Sequence, residues 1–192
     1  MRYASNLEPQ SSFEALKELI ANAAITGTHM HICHINSTSL SDIHATLELV
    51  AEAKALGSNI SLGAYPYGAD NTVVGAASST AKNFQLGADR MTEDELADYQ
   101  ANKPGTFITW HFLDEENPTD LALLDASVTH PDILIESDSV FWSYFDENGG
   151  ISNYGGSEWP LPDNVFSHPR SAGAFAKILR EYDRERGLLS LD

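Results

Sequence analysis

Apolar positions Phe13, Leu16, Leu19, Ile20 and Ala23 recur at the three- and four-residue intervals of one helix face. Ser11 with Glu14 has the form of a capping box ahead of them, and Gly27 suits a left-handed cap behind, so the spacing predicts a helix over 11–27. The run 28–35 then reads as a strand. Ile43, Leu47, Leu49, Val50 and Ala53 restore the helical interval over 41–56, up to Gly57. A second strand is expected over 59–65, stopped where Pro66 removes a donor and Gly68 loosens the backbone. Residues 70–90 hold no clean period and are rich in alanine, serine and glycine, which predicts loop with short helical pieces. Beyond it come a helix over 92–101 capped by Thr92 and Glu95, a strand over 106–112, a helix over 120–128 and a strand over 132–137. A long helix over 170–186 closes the order, with Phe175, Ile178, Leu179 and Tyr182 on one side.

Strict alternation of helix and strand implies parallel strands joined by right-handed crossovers, in an open sheet or in a barrel. A complete (β/α)8 barrel takes eight strands and typically about 250 residues. Four strands in 192 residues do not close one, so pattern alone favours an open sheet in a single domain, 1–192. Met1 leads straight into Arg-Tyr-Ala-Ser with no strand before it, and Leu188 to Asp192 reads as the approach to a further element. Truncation at both ends is the expectation.

Charge narrows the partners. Asp and Glu outnumber Lys and Arg 28 to 11, a formal charge of −17 spread along the chain, which repels a phosphate backbone and an anionic membrane surface. Nucleic acid and membrane are therefore not expected as partners. No apolar run reaches the length of a signal core or of a bilayer-spanning helix, and a cytoplasmic protein is expected. Cys33 is the only cysteine, which excludes an internal disulfide and a thiolate cluster.

In alternating folds chemistry collects where strands end. His29, His31 and Cys33 share one face of the first strand, with His34 and Asn36 on the other. Imidazole and thiolate are good zinc donors, but side chains of one strand run parallel and do not close a tetrahedral site alone; a structural histidine is the competing reading. His34 stands out because it lies where the strand opens into its loop. Tyr65 and Tyr67 flank Pro66 in a rigid turn that could meet a polar substrate or simply pack. Leu134-Ile-Glu-Ser-Asp138 delivers Asp138 to a strand end, where a carboxylate can take a proton from an attacking water or merely cap a loop. Glu136, inside that strand, could mark a polar layer. His168-Pro-Arg170 follows a long loop over 139–167 with aromatics Phe141, Trp142, Tyr144, Phe145, Tyr154 and Trp159, suited to a lid. Arg170 could pair with a substrate carboxylate or with a neighbouring acid. His111, ending the strand over 106–112, is a weaker candidate.

There is no glycine-rich phosphate loop, Gly-x-Ser-x-Gly elbow or His-Glu-x-x-His helix. The phrases Arg2-Tyr-Ala-Ser, His31-Ile-Cys-His-Ile-Asn-Ser-Thr-Ser39, Ala64-Tyr-Pro-Tyr-Gly-Ala69, Glu136-Ser-Asp138 and His168-Pro-Arg-Ser-Ala-Gly173, in that order, resemble the N-acyl-D-amino-acid deacylase branch of the metal-dependent amidohydrolases. The resemblance implies a partial (β/α)8 TIM barrel, about strands five to eight with their helices. It also implies one or two zinc ions in the complete enzyme and hydrolysis of a small-molecule N-acyl amino acid to a carboxylate and a free D-amino acid. By the same resemblance His34 and Asp138 are metal ligands, Asp138 is also the catalytic acid-base, Tyr65, Tyr67, His168 and Arg170 meet the substrate, and His31 and His111 are accessory.

Three departures bear on activity. The strand-one His-x-His pair of that family lies outside these residues, Gly63 stands where the resemblance leads one to expect a carboxylate, and Ser139-Val-Phe-Trp142 replaces small residues or methionine. With His34 and Asp138 alone a catalytic zinc falls short of its usual three protein ligands, so an active chain and one that needs further segments for catalysis are both carried forward. A dihydroorotase- or dipeptidase-like amidohydrolase, and a noncatalytic remnant that associates with itself through exposed barrel edges, are the alternatives carried forward.

Overall fold

A computed structural model of the chain describes residues 11–77, 84–87, 89–139, 142–145, 151–156, 160–162 and 165–190. Arg2 to Ser5, Phe141 and Trp159, used in the sequence reading, lie outside them. In chain order the elements are α1 (Ser11–Thr26), β1 (Met30–Ile32), α2 (Ile35–Ser39), α3 (Ile43–Ala55), β2 (Ile60–Ala64), β3 (Ala69–Val73), β4 (Phe84–Leu86) and β5 (Asp89–Arg90). There follow α4 (Glu93–Asn102), β6 (Phe107–His111), α5 (Pro118–Val128), β7 (Ile133–Ile135), β8 (Ser143–Phe145), β9 (Ile151–Asn153), β10 (Val165–Phe166) and α6 (Arg170–Lys177). A π-helical stretch, Ile178–Glu185, continues α6.

Contacts divide the chain into two compact units, the first from Met1–Gly68, Leu113–Asp138 and Ala172–Asp192, the second from Ala69–Phe112 and Ser139–Ser171. The first holds a parallel sheet in the order β1-β2-β7. Its register pairs His31 with Ser61 and Gly63 with Leu134. Because side chains alternate along a strand, Ile32, Ile60, Leu62 and Ala64 point to one face and His31, Ser61, Gly63 and Leu134 to the other. The first face packs on Leu16 and Ala23 of α1 and Ile43, Leu47, Val50 and Ala53 of α3, the core of this unit. Each such Leu, Ile or Val contributes roughly 1.5–3 kcal/mol when its surface leaves water. The opposite face is left for polar groups. It also carries Leu134, 56% exposed on β7, the last strand of this sheet.

Helix ends follow the sequence rules. Gly27 at φ +66° and Gly57 at φ +97° end α1 and α3 in the left-handed conformation that costs glycine least. Thr92 and Glu95 form both halves of the capping box on α4, and Asn117 accepts from Thr119 N–H with Pro118 in the first turn of α5.

The second unit departs from simple alternation. β6 forms where a strand is expected, but it pairs antiparallel with β3 and β4 in a four-stranded sheet, β3-β6-β4-β5. Three of the four expected strands are thus parallel neighbours, and the fourth belongs to a different sheet. β3 and β4 themselves lie in the segment expected to be loop with helical pieces, of which only the short 3-10 turn Val74–Ala76 is helical among the described residues. Val74, Phe84, Leu96 and Ile108 make this unit's apolar cluster. Within the expected lid, β8 pairs antiparallel with β9 and β10.

The last helix also differs. Phe175 and Leu179, expected on the buried side with Tyr182, are 58% and 41% exposed, whereas Tyr182 is buried. A π turn takes in more residues than an α turn, so a face counted at 3.6 residues drifts out of phase after Lys177, which accounts for Leu179; Phe175 precedes the drift and lies beside the buried Ala174 on α6.

Candidate functional site

The polar face of the parallel sheet gathers groups far apart in sequence. Glu136 leaves the end of β7, its N–H donating to Ala64 O at 2.9 Å, and its carboxylate reaches across to β1. His31 Nε2 lies 2.5 Å from Glu136 Oε1, and His31 Nδ1 lies 2.7 Å from Ser61 Oγ. His29 Nε2 approaches the same hydroxyl at 2.9 Å. Since a carboxylate only accepts, a neutral His31 donates from Nε2 to Glu136 and accepts the Ser61 hydroxyl at Nδ1, which leaves His29 to donate to Ser61. The result is one polarised chain, His29 to Ser61 to His31 to Glu136.

This path is made possible by Gly63. A Cβ at that position would stand 2.0 Å from Glu136 Cδ and Oε1, so the carboxylate occupies the space where any other residue would carry its side chain. A carboxylate therefore stands beside position 63 although residue 63 itself carries none. Its second oxygen accepts the His34 N–H at 3.3 Å.

Cys33, one residue past β1, completes the group: one donor atom each of His31, Cys33 and Glu136 lie within 4.8 Å of one another. Burial pushes the Cys33 thiol pKa up, and the negative charges of Glu136 and then Asp138 push it further in the same direction. Nitrogen, sulfur and oxygen donors in one group fit a borderline ion such as zinc. Neither the His34 ring nor the Asp138 carboxylate is one of these three. Both residues, however, take left-handed backbone, φ +40° at His34 and φ +43° at Asp138, His34 in the turn after β1 and Asp138 in the segment after β7. For a residue with a Cβ that conformation costs on the order of 1–3 kcal/mol and collects at functional sites.

An acid–imidazole–hydroxyl chain also invites comparison with serine hydrolases. Ser61 nevertheless sits inside β2, the central strand, with parallel partners on both sides. The neighbouring backbone amides are spent in the sheet and cannot form an oxyanion hole.

Tyr65 is fully buried, and its carbonyl accepts from Asn36 Nδ2 at 2.9 Å. Tyr67 lines a cavity of about 340 Å³ with Gly173, Ala176, Lys177, Arg180 and Glu181. The Lys177 ammonium lies 4.4 Å from its ring centre and is ion-paired with Glu115. Burial, with Glu115 and Glu181, raises the Tyr67 phenol above its ordinary value, opposed by Arg180.

His168, Arg170 and His111 belong to the second unit. Arg170 is buried and ion-paired with Asp70 at 2.7 Å, while His168 Nδ1 accepts the Arg170 N–H at 3.1 Å. The guanidinium therefore has a neighbouring acid as a partner, one of the two readings open from sequence. His111 Nε2 lies 2.8 Å from Gln85 Oε1.

Of the residues singled out by sequence, the sheet brings together His31 with Cys33 and Glu136. Cys33 and Glu136 were not among the expected ligands, since nothing in either local motif reports that residues 105 apart share one face. The available signal was a coincidence of two oddities, a glycine in place of a carboxylate at 63 and a carboxylate inside the strand at 136.

Neither a scan against protein-family models nor a search of the curated proteins gave a match. Solved structures did. N-acyl-D-glutamate deacylase from Bordetella bronchiseptica, complexed with zinc and a phosphonate mimic of the tetrahedral intermediate, is similar at a TM-score of 0.67 and 19% identity over 95% of this chain and 37% of that one. A structure of D-aminoacylase, described as defining a novel subset of amidohydrolases, is similar at a TM-score of 0.67 and 20% identity, over 93% of this chain and 36% of its own. A second D-aminoacylase structure, from work on its binuclear metal center, is similar at 0.68 and 20% over the same shares. The chain thus spans little more than a third of the length of these structures. The likeness is one of fold, and it falls on the same deacylases that the ordered motifs resemble.

Proposed function

We propose that this chain is the strand-five-to-eight part of a (β/α)8 barrel and carries one side of the active site of a metal-dependent amidohydrolase. The reaction is hydrolysis of an N-acyl-D-amino acid to a carboxylate and a free D-amino acid. The observation that carries this reading is the pair of left-handed residues, His34 and Asp138, that follow two parallel strands at the same sheet end and flank a group of N, S and O donors.

In this reading His34 and Asp138 hold a zinc ion, and the chemistry zinc supplies when bound is polarisation of the amide carbonyl and activation of water. Asp138 takes the proton of the attacking water and returns it to the leaving nitrogen, so that the amide C–N bond breaks to a carboxylic acid and an amine. Tyr65 and Tyr67 orient the substrate. Glu136 holds the His34 backbone through its N–H and keeps the turn after β1 in place.

The test is hydrolysis of a panel of N-acetyl-D-amino acids, their L-enantiomers, dihydroorotate and dipeptides, with zinc added, by the unaltered chain and by Asp138→Asn. Release of D-amino acids, lost in Asp138→Asn, supports the reading. Turnover of cyclic amides or dipeptides alone reassigns the substrate, and inertness toward the whole panel removes the catalytic claim for this chain.

A second reading, association with another copy or a complementary segment, draws on Leu134, 56% exposed on the sheet's last strand. Sedimentation showing a monomer over a wide concentration range excludes it.

A further inference from the structure

We propose that His31, Cys33 and Glu136 form a metal site of their own, one that takes a borderline divalent ion such as zinc independently of His34 and Asp138. It does not depend on the amidohydrolase reading.

Three features of the geometry carry the proposal. First, the donors come from two strands of the sheet, so the objection that one strand's side chains run parallel does not apply: His31 and Cys33 project from β1 and its end, and Glu136 reaches them from the end of β7. Second, the set is built rather than incidental. Glu136 occupies the volume that only a glycine at 63 leaves open. His31 is fixed through its other nitrogen by Ser61, itself held by His29, the kind of outer hydrogen bond that orients a metal-binding imidazole. Third, the spacing is within reach. Tetrahedral zinc with bonds of about 2.0–2.3 Å sets its ligands about 3.3–3.8 Å apart. The three donor atoms already lie within 4.8 Å, and the 2.5 Å His31–Glu136 contact has to open by roughly the same ångström that the widest separation has to close. Rotations of the long Glu136 side chain cover that range.

The proton balance is simple. For Nε2 to offer a lone pair, the His31 proton sits on Nδ1 and is donated to Ser61 Oγ, the Ser61 hydroxyl turns to donate to His29 Nε2, and the His29 proton moves from Nε2 to Nδ1 through solvent. The chain of hydrogen bonds reverses without gaining or losing a proton. Cys33 binds as thiolate and its proton leaves to solvent, so each ion bound releases a single proton, and water fills the remaining coordination.

The experiment titrates Co(II) into the full chain and reads the thiolate-to-cobalt charge-transfer absorption. The band is expected in the unaltered chain, is absent in Cys33→Ser, and requires at least about tenfold more cobalt in Glu136→Gln. It persists in the double variant His34→Ala/Asp138→Asn, which disables the proposed hydrolytic site and so separates the two readings. A chain that binds no cobalt, or binds it with no thiolate band, overturns the proposal, as does a band lost in the double variant but kept in Glu136→Gln. Should Cys33→Ser fail to fold, zinc-edge X-ray absorption on the unaltered chain decides: a sulfur ligand in the first shell supports the site, and a shell of nitrogen and oxygen alone overturns it.

Discussion

The two units treat buried charge in opposite ways. In the antiparallel unit the guanidinium of Arg170 is matched by Asp70, and the Arg170 backbone N–H donates to His168, so the charges cancel inside the unit. On the polar face of the parallel sheet the charges acting on Cys33 are both negative, Glu136 and Asp138, and the chain of His29, Ser61 and His31 ends on a carboxylate. The first arrangement balances its charge within the unit. The second has the sign and the donor atoms to receive a cation, and it reads as a site.

Breaking the first arrangement should have the largest effect on folding. Arg170→Ala leaves the largely buried Asp70 carboxylate without its cation, and removal of one partner of a buried pair costs up to about 3–5 kcal/mol. Urea denaturation should show that loss, and a change below about 1 kcal/mol would mean the pair is solvated.

Gly63→Ala comes next. The new methyl collides with the Glu136 carboxylate, the far end of a flexible side chain that can swing aside, so the cost should sit at or below the low end of the about 1–3 kcal/mol of forced overpacking. The decisive readout is metal affinity, which should fall with stability if Glu136 is displaced. Unaltered affinity would separate the glycine from the site.

Glu136→Gln should change reactivity more than stability. Burial is the largest cause of the raised Cys33 pKa, with Glu136 second, so removing its charge lowers that pKa toward the ordinary thiol value and increases the thiolate fraction at any pH below it. Iodoacetamide alkylation of the metal-free chain should therefore be faster in Glu136→Gln, with its pH midpoint shifted downward. An equal or slower rate would contradict the assigned electrostatics.

The smallest effect is expected at the partly exposed Lys54–Asp132 pair, where Lys54→Ala should cost no more than about 1 kcal/mol. Hydrogen bonding to Lys54 lowers the Asp132 pKa, so the pair stabilises the folded chain above the ordinary carboxylate range and ceases to do so as pH falls through the lowered value. The difference between the two proteins in thermal melts should vanish in acid.

What sequence could tell follows from the range of the forces involved. Periodicity and end signals are local, and Gly27, Gly57, the Thr92–Glu95 box and the strands of the parallel sheet were legible from them. β3 was not, because Ala-Asp-Asn-Thr-Val lacks the apolar alternation that marks a half-buried strand, nor was β4, whose alternation spans only three residues; both pair with β6. The direction of β6 was hidden for the same reason: alternation implies a strand but does not say which neighbour it takes. At the site, His31, His34 and Asp138 could be singled out by position at strand ends. The partnership of His31 with Cys33 and Glu136 could not, since it depends on which strands adjoin and on the space left by Gly63.

The most direct test of the central claim, that the parallel sheet carries a metal-binding face, is elemental analysis of the purified chain before and after dialysis against a mild chelator. The account predicts zinc retained at or above one ion per chain and lowered in Cys33→Ser. A folded chain that holds no zinc under either condition would contradict it.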